Sequence, residues 1–82
     1  MLEPLLVDAL RNHSQTISFC ESLTAGLASA RVAAIPGASD VLRGGLITYA
    51  TDLKIALAGV EAEVVEREGV VSAAVAREMA RG

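Results

Sequence analysis

The chain has 82 residues, of which 52% are hydrophobic, and a formal net charge of −3. A chain of this length forms one small domain that buries only about 60% of the surface its unfolded form exposes. The acidic charge argues against a nucleic-acid partner and against an anionic membrane surface, because both are bound by basic patches.

The first half of the chain predicts a helix, a strand and a second helix. Apolar residues recur at helical spacing over roughly 3–12, and Pro4 is tolerated in a first helical turn. Alternating apolar residues predict a strand over Thr16–Cys20. The Ala-rich stretch from Leu23 to Ile35 predicts a helix that ends at Pro36-Gly37.

The second half predicts one more strand and then helices only. After a polar turn and Gly44-Gly45, residues Leu46–Tyr49 have the composition of a strand. A helix is predicted over Thr51–Ala58, with Thr51 or Asp52 as its N-cap.

Glycines and a serine delimit the remaining helices. Gly59 and Gly69 are expected to end the helices over 51–58 and 61–68. Ser72 is expected to cap a last helix, whose inner face comprises Val75, Ala76, Met79 and Ala80.

The strand–helix–strand unit fixes the predicted fold class as α/β. A helical crossover of this length makes the two strands parallel and right-handed. Two parallel strands do not form a stable sheet alone, so the chain is predicted to be an incomplete α/β layer with extra helices. We expect residues 1–82 to be one partial domain.

Two polar segments follow the two predicted strands. In an open parallel sheet, ligands bind at the carboxyl ends of the strands, and there residues 21–26 and 48–54 meet. Ser22 and Thr24 from the first segment are therefore expected to converge with Tyr49 and Lys54 from the second.

The first segment offers hydroxyl groups at a strand-to-helix turn. The backbone N–H groups at the helix start suit a phosphate or an oxyanion, and Ala25 and Gly26 are small enough for close approach. The alternative is that Ser22 and Thr24 only cap the helix. Glu21 either orients a hydroxyl of the site or pairs with an arginine such as Arg43.

The second segment offers a base for a serine nucleophile, because an unprotonated lysine can accept the serine proton. Lys54 lies in a predicted first helical turn, where the macrodipole disfavours positive charge, whereas Asp52 favours it. The sequence leaves that balance open, and an ordinary exposed lysine is the alternative. Tyr49 either orients the lysine or donates to a developing charge, and the alternative is a half-buried strand residue.

The remaining candidates predict no chemistry. His13 lies in a polar connection and is expected to be solvated, and Cys20 is expected to be a buried inert thiol. A single cysteine permits no internal disulfide, which indicates a reducing cytoplasm. The N-terminal residues predict neither a signal peptide nor a membrane span.

Two motifs together resemble a known family. The segment ESLTAG resembles the ESCTGG motif of CinA C-terminal domains, and GGLITYATDLK resembles their G-x-V-T-Y-S-N-E-A-K motif. The stretch IPGASDVLRGG between them and the run LAGVEAEVVEREGVVSAAVAREMA after them are also similar to that family. The similarity extends from about Thr16 to Gly82.

The resemblance implies a three-layer α/β/α domain, of which this chain is the first half. It further implies a dimeric or larger enzyme that hydrolyses nicotinamide mononucleotide to nicotinate mononucleotide and ammonia, without a metal or cofactor. Ser22 would be the nucleophile, Lys54 its proton acceptor and Tyr49 an assisting residue. Four residues would bind the substrate, namely Glu21, Thr24, Ala25 and Gly26.

Two hypotheses follow for function. In the first, the chain is an amidohydrolase that acts on a small nucleotide. In the second, it is a catalytically inactive half-domain that associates with other chains through its open sheet edge.

Overall fold

A computed structural model describes residues 2–82, which form helices on both faces of a two-stranded sheet. A single 3₁₀ turn, Ala38–Asp40, precedes the second strand. In chain order the elements are α1 (Leu2–Asn12), β1 (Ile17–Glu21), α2 (Leu27–Ala33), β2 (Leu42–Ile47), α3 (Thr51–Ala58), α4 (Ala62–Glu68) and α5 (Ala73–Arg81). Every helix within residues 2–82 is too short or too polar to cross a membrane.

The two strands are parallel, as predicted, but β2 begins earlier than the sequence indicated. Gly44 and Gly45 lie inside the strand rather than in a turn before it. A Cβ atom on Gly45 would lie 2.6 Å from the carbonyl oxygen of Phe19 on β1, so only glycine fits at this pairing. The prediction that Gly44-Gly45 precede the strand was therefore wrong, because their role is close approach between the strands.

Helix α2 begins at Leu27, whereas the sequence predicted a helix from Leu23. The residues before it are in a turn, with Ala25 at φ 51° and Gly26 at φ 99°, both in the left-handed region. Such angles interrupt a right-handed helix, and alanine adopts them only where the surroundings impose them. The helix prediction failed here because a tertiary contact, described below, overrides the propensity of the Ala-rich stretch.

The other helix boundaries agree with the sequence except at one cap. Gly59 and Gly69 end α3 and α4, and the Ser72 hydroxyl accepts a hydrogen bond from Val75 N–H at the start of α5. Neither Thr51 nor Asp52 caps α3, contrary to the prediction. The N-cap residue is Ala50, and no side chain bonds to the first turn there.

Each face of the sheet has its own small core of aliphatic side chains. Phe19 of β1 packs on the face covered by α1 and α2, against Val7, Val32 and Val41. The next residue, Cys20, points to the opposite face and packs on the second core, whose buried members are Ala58, Val60, Val64 and Val75. The alternation of β1 thus produces the three layers that the resemblance implied.

Candidate active site at the carboxyl ends of the strands

An open groove with a volume of about 1150 Å³ runs along the sheet face that α5 partly covers, and ends at the carboxyl ends of both strands. Its apolar part includes Cys20, Leu46, Val71, Val75 and Met79. At the strand ends it is lined by Glu21, Ser22, Thr24, Tyr49, Thr51 and Lys54. The structure therefore brings Ser22, Thr24, Tyr49 and Lys54 to one cavity, as predicted from the topology.

The first loop, which we call the Ser22 turn (residues 21–29), is organised by the carboxylate of Glu21. This side chain is 4% exposed. Its Oε1 atom accepts hydrogen bonds from Thr24 Oγ1 at 2.7 Å, Gly26 N–H at 3.2 Å and Ala28 N–H at 2.9 Å. Its Oε2 atom accepts from Ser29 N–H at 3.0 Å and from the Ser29 hydroxyl. One carboxylate therefore closes the turn and stabilises the left-handed conformations of Ala25 and Gly26.

These hydrogen bonds favour the ionised form of Glu21. The Ser29 hydroxyl has the largest effect, and bonds from Thr24 and the N–H groups of Ser29 and Ala28 add to it. Burial opposes the shift, yet the pKa of Glu21 is lowered from 4.5 to about 2. The group is accordingly a fixed negative charge at neutral pH, directly next to Ser22 in the chain.

The sequence left two roles open for Glu21, and the structure shows its carboxylate bonded to the hydroxyl groups of Thr24 and Ser29 rather than to Arg43. Arg43 forms no ion pair with it, since the carboxylate is bonded to its own turn and to the start of α2. The N–H group of Gly26 is bonded to Glu21, and that of Ala25 donates to Ser22 O at 3.0 Å. Neither Ala25 nor Gly26 lines the groove. Their contact with a substrate stays a prediction, and the structure assigns them a place in the turn.

The second loop, which we call the Lys54 turn (residues 48–54), is organised by main-chain carbonyl groups. Lys54 is 3% exposed, so it is not the ordinary exposed lysine that the sequence left as an alternative. Its Nζ donates to the carbonyl oxygens of Thr48 at 2.8 Å and Tyr49 at 2.9 Å. Within residues 2–82 no carboxylate forms an ion pair with Lys54, and Asp52 is exposed.

Tyr49 lies two residues beyond Ile47, the last residue of β2, and is 66% exposed. It is therefore not a half-buried strand residue. Its carbonyl oxygen accepts a hydrogen bond from the Nζ atom of Lys54, and the residue lines the groove. The main-chain carbonyl group that holds Lys54 could be supplied by any residue type at this position. A role for the Tyr49 side chain stays a prediction.

Sequence reasoning missed Thr48, which connects the two turns. Thr48 is fully buried, and its N–H donates to Glu21 O at 2.8 Å, while its C=O accepts from Lys54. Its hydroxyl lies 3.6 Å from the Sγ atom of Cys20, within hydrogen-bond reach for sulfur. Through Thr48, Lys54 is connected by hydrogen bonds to Glu21, the residue that precedes Ser22. The only signal in the sequence was a threonine at a strand end, which is weak.

The other polar residues lie outside the groove or form no cluster. His13 is exposed and donates from Nδ1 to Ala9 O at 2.8 Å, at the end of α1. Cys20 is partly buried, with the sulfur on the second core. Across residues 2–82 the structure contains no group of three or more His, Cys, Asp or Glu side chains arranged to hold a metal ion.

Comparison with known sequences identifies close relatives. The sequence model described as the CinA C-terminal domain matches residues 1–82. A CinA-like protein of Petrotoga mobilis is 44% identical over 81 residues, which are 99% of this chain and 20% of that protein. A CinA-like protein of Desulfovibrio desulfuricans is 46% identical, again over 99% of this chain, and 19% of that protein is covered.

Solved structures have the same fold over the same residues. The competence/damage inducible protein CihA from Agrobacterium tumefaciens superposes with a TM-score of 0.94 at 32% identity, covering 99% of this chain and 49% of that protein. For the competence damage-inducible protein A (ComA) from Klebsiella pneumoniae the TM-score is 0.95 at 26% identity, covering 99% and 50%. Residues 1–82 thus span about half of these solved proteins and about a fifth of the curated relatives. The chain belongs to the CinA C-terminal domain family.

Proposed function

We propose that this chain carries the catalytic residues of an amidohydrolase that converts nicotinamide mononucleotide to nicotinate mononucleotide and ammonia. One observation carries the proposal: Ser22, Tyr49 and Lys54 line one groove at the carboxyl ends of adjacent parallel strands. This is the edge at which open α/β sheets bind ligands. The nucleotide itself is suggested by the resemblance of ESLTAG and GGLITYATDLK to the family motifs.

The hydrogen bonds of Lys54 leave one position on its Nζ atom for proton transfer. A neutral amine has two N–H groups and one lone pair, and the carbonyl oxygens of Thr48 and Tyr49 accept two N–H bonds. In that form the lone pair is left for the hydroxyl of Ser22. In the ammonium form the third N–H is left for a leaving group, so the same position serves both halves of a proton transfer.

The reaction then proceeds by covalent catalysis. Ser22 Oγ adds to the carboxamide carbon of the substrate, and its proton passes to Lys54 Nζ. Lys54 returns that proton to the departing nitrogen, which leaves as ammonia and gives an ester on Ser22. Water, deprotonated by Lys54, hydrolyses the ester to the carboxylic acid and regenerates the serine.

Charge on the groove suits a phosphorylated substrate. Arg43 of β2 is exposed and lines the groove, as does Arg81 at the end of α5. A guanidinium group binds phosphate in bidentate fashion, so Arg43 is the side chain we assign to the substrate phosphate. Thr24, whose hydroxyl donates to Glu21, retains its oxygen lone pairs for the ribose or amide.

The proposal also covers the cellular location and the oligomeric state of the protein. Cytoplasmic location is proposed because Cys20, the one cysteine of the sequence, is a free thiol, as is usual in a reducing compartment. Assembly as a dimer or larger oligomer is likewise proposed from the resemblance.

The test is ammonia release from nicotinamide mononucleotide, with nicotinate mononucleotide measured by chromatography in the same samples. We expect Ser22→Ala to lower the rate of formation of both products by about 10⁴-fold or more, to a small residual rate. Ser39→Ala, an exposed serine outside the groove, leaves the rate unchanged. Equal rates for Ser22→Ala and the unmodified chain would refute the serine mechanism. Substrate left intact by the unmodified chain would favour the inactive half-domain.

A further inference from the structure

Ser29 is a residue of α2 to which neither the sequence nor the proposed mechanism gives a role. Helix α2 has two polar side chains, and the other one, Arg31, pairs with Glu3 of α1 at 3.0 Å. Ser29 is half-buried and does not line the groove. Its hydroxyl donates instead to the Glu21 carboxylate. Ser29 therefore acts on the site through Glu21 and not by contact with a ligand in the groove.

The start of α2 is capped by a residue that lies outside the helix. The N-cap residue, Gly26, has no side chain to accept from the free N–H groups of the first turn. The Glu21 carboxylate takes this role, with Oε1 accepting from Ala28 N–H at 2.9 Å and Oε2 from Ser29 N–H at 3.0 Å. Ser22 follows Glu21, so the nucleophile of the proposed reaction lies between the capping residue and the helix that it caps.

The two oxygens of this carboxylate have different donors. Oε1 accepts from three residues, which are Thr24, Gly26 and Ala28. Both donors to Oε2 belong to Ser29, namely its N–H group and its hydroxyl. The same hydroxyl is the largest cause of the lowered pKa of Glu21. Without it, one N–H group alone would hold Oε2 against rotation of the carboxylate about its Cγ–Cδ bond.

Glu21 is held at its main chain by the sheet and at its side chain by α2. Its carbonyl oxygen accepts from Thr48 N–H at 2.8 Å, which ties the main chain to the end of β2. On α2, Val32 lies three residues after Ser29, near the same helix face, and is buried in the core between the helix and the sheet. Ser29 therefore connects the Ser22 turn to a helix that is itself packed in place.

We propose that Ser29 is a positioning residue, whose hydroxyl holds the Ser22 turn, through Glu21, in the conformation in which Ser22 reacts. The proposal rests on the proposed function in one respect, because it takes Ser22 as the nucleophile. It does not depend on the substrate. A displacement of about 1 Å in a reacting group costs about 100-fold in rate, so loosening one of the five hydrogen bonds to Glu21 has a measurable effect.

The probe is diisopropyl fluorophosphate, which reacts with an activated serine in the absence of any nucleotide. The Oγ–P bond forms as the P–F bond breaks, fluoride leaves, and the hydroxyl proton passes to Lys54. Mass spectrometry of the intact chain and of its peptides gives the rate of labelling at Ser22. We expect Ser29→Ala to slow this labelling about tenfold. The matched control is Ser39→Ala, an exposed serine of the 3₁₀ turn, with a rate expected within about twofold of the unmodified chain.

Conservative variants separate the hydroxyl from a general loss of packing. Ser29→Thr keeps the hydroxyl, so its labelling rate is expected within about threefold of the unmodified chain. Ser29→Cys replaces the hydroxyl with a weaker donor, and its rate is expected between those of Ser29→Thr and Ser29→Ala. In hydrolysis of nicotinamide mononucleotide, Ser29→Ala should lower kcat and leave KM within about twofold, because Ser29 lies outside the groove.

The proposal fails if Ser29→Ala is labelled at Ser22 as fast as the unmodified chain. It also fails if Ser29→Thr is as slow as Ser29→Ala, since the hydroxyl would then not be the cause. If circular dichroism shows that Ser29→Ala does not fold, Ser29→Cys takes its place, and labelling at the unmodified rate overturns the proposal. An unmodified chain that is labelled but leaves nicotinamide mononucleotide intact contradicts the proposed substrate alone. An unmodified chain that is not labelled at Ser22 overturns both proposals.

Discussion

The two turns that form the candidate site are held in place by different kinds of group. The Ser22 turn depends on one side chain, the carboxylate of Glu21, which accepts five hydrogen bonds from Thr24, Gly26, Ala28 and Ser29. The Lys54 turn depends on main-chain carbonyl groups of Thr48 and Tyr49. A substitution of Glu21 therefore removes the group that stabilises the Ser22 turn. In the Lys54 turn a substitution can remove the lysine side chain, but not the main-chain carbonyl groups that accept its hydrogen bonds.

Substitution of Lys54 is expected to have the largest effect, and that effect is on activity. In Lys54→Met the carbonyl groups of the turn remain but no side chain accepts the serine proton. We expect the rate of nicotinamide mononucleotide hydrolysis to fall by about 10²–10⁴-fold. The free energy of unfolding, measured with urea, should fall by only about 1–3 kcal/mol, because two carbonyl oxygens lose a partner.

A double variant separates a shared mechanism from two independent losses. If Ser22 and Lys54 act together, the rate of Ser22→Ala combined with Lys54→Met equals that of the slower single variant. If the rate losses of the two single variants multiply in the double variant, the proposed serine–lysine pair is contradicted.

The second effect concerns the side chain that holds the Ser22 turn. In Glu21→Gln an amide NH₂ group replaces one of the two acceptor oxygens and faces N–H and O–H donors at either position. We expect faster hydrogen exchange at the amides of Ala28 and Ser29 and a lower urea midpoint, with no change around the Lys54 turn. Glu63→Gln, an exposed helix position, is the control. Equal protection of Ala28 and Ser29 in both variants would show that the carboxylate does not order the turn.

The same carboxylate predicts a dependence of stability on pH. Its pKa is 4.5 ordinarily and about 2 in the folded chain, so the folded state binds this proton less tightly than the unfolded state does. The stabilisation is complete above about pH 4.5 and is lost as pH falls toward 2. Urea unfolding at a series of pH values should show the difference between the unmodified chain and Glu21→Gln shrinking over that window. A constant difference would contradict the assignment.

The sequence predicted one turn better than the other for a physical reason. Helix α3 and Gly59 were predicted correctly because local periodicity and a left-handed glycine determine them. The start of α2 was not, because Ala25 and Gly26 take their conformations from Glu21, and no local pattern encodes which donors a buried carboxylate will accept. Strand order identified which residues converge, whereas Thr48 was missed because its contribution is made by main-chain atoms.

The distance between the two turns is set by β1 and β2, which precede them. Gly45 is the position where a side chain would most directly push these strands apart. In Gly45→Ala the new Cβ would lie 2.6 Å from Phe19 O, so the strands must separate. We expect a loss of about 1–3 kcal/mol in the free energy of unfolding, as for other overpacked positions. Ser18→Ala, an exposed position on β1, should change it by less than about 0.5 kcal/mol. A Gly45→Ala chain as stable as the unmodified one would mean that the strands can separate at no cost, and that the turns are not rigidly spaced.

The smallest expected effect concerns the start of α3, which has no side-chain cap. Ser72 accepts Val75 N–H at 3.2 Å at the start of α5, so Ser72→Ala should cost about 1 kcal/mol in the free energy of unfolding. Thr51 makes no such bond at the start of α3, so Thr51→Ala should cost less than about 0.5 kcal/mol. Urea denaturation of both variants resolves this difference. If Thr51→Ala costs as much as Ser72→Ala, a side chain does hold the Lys54 turn, and the contrast between a turn fixed by Glu21 and a turn fixed by main-chain carbonyl groups fails.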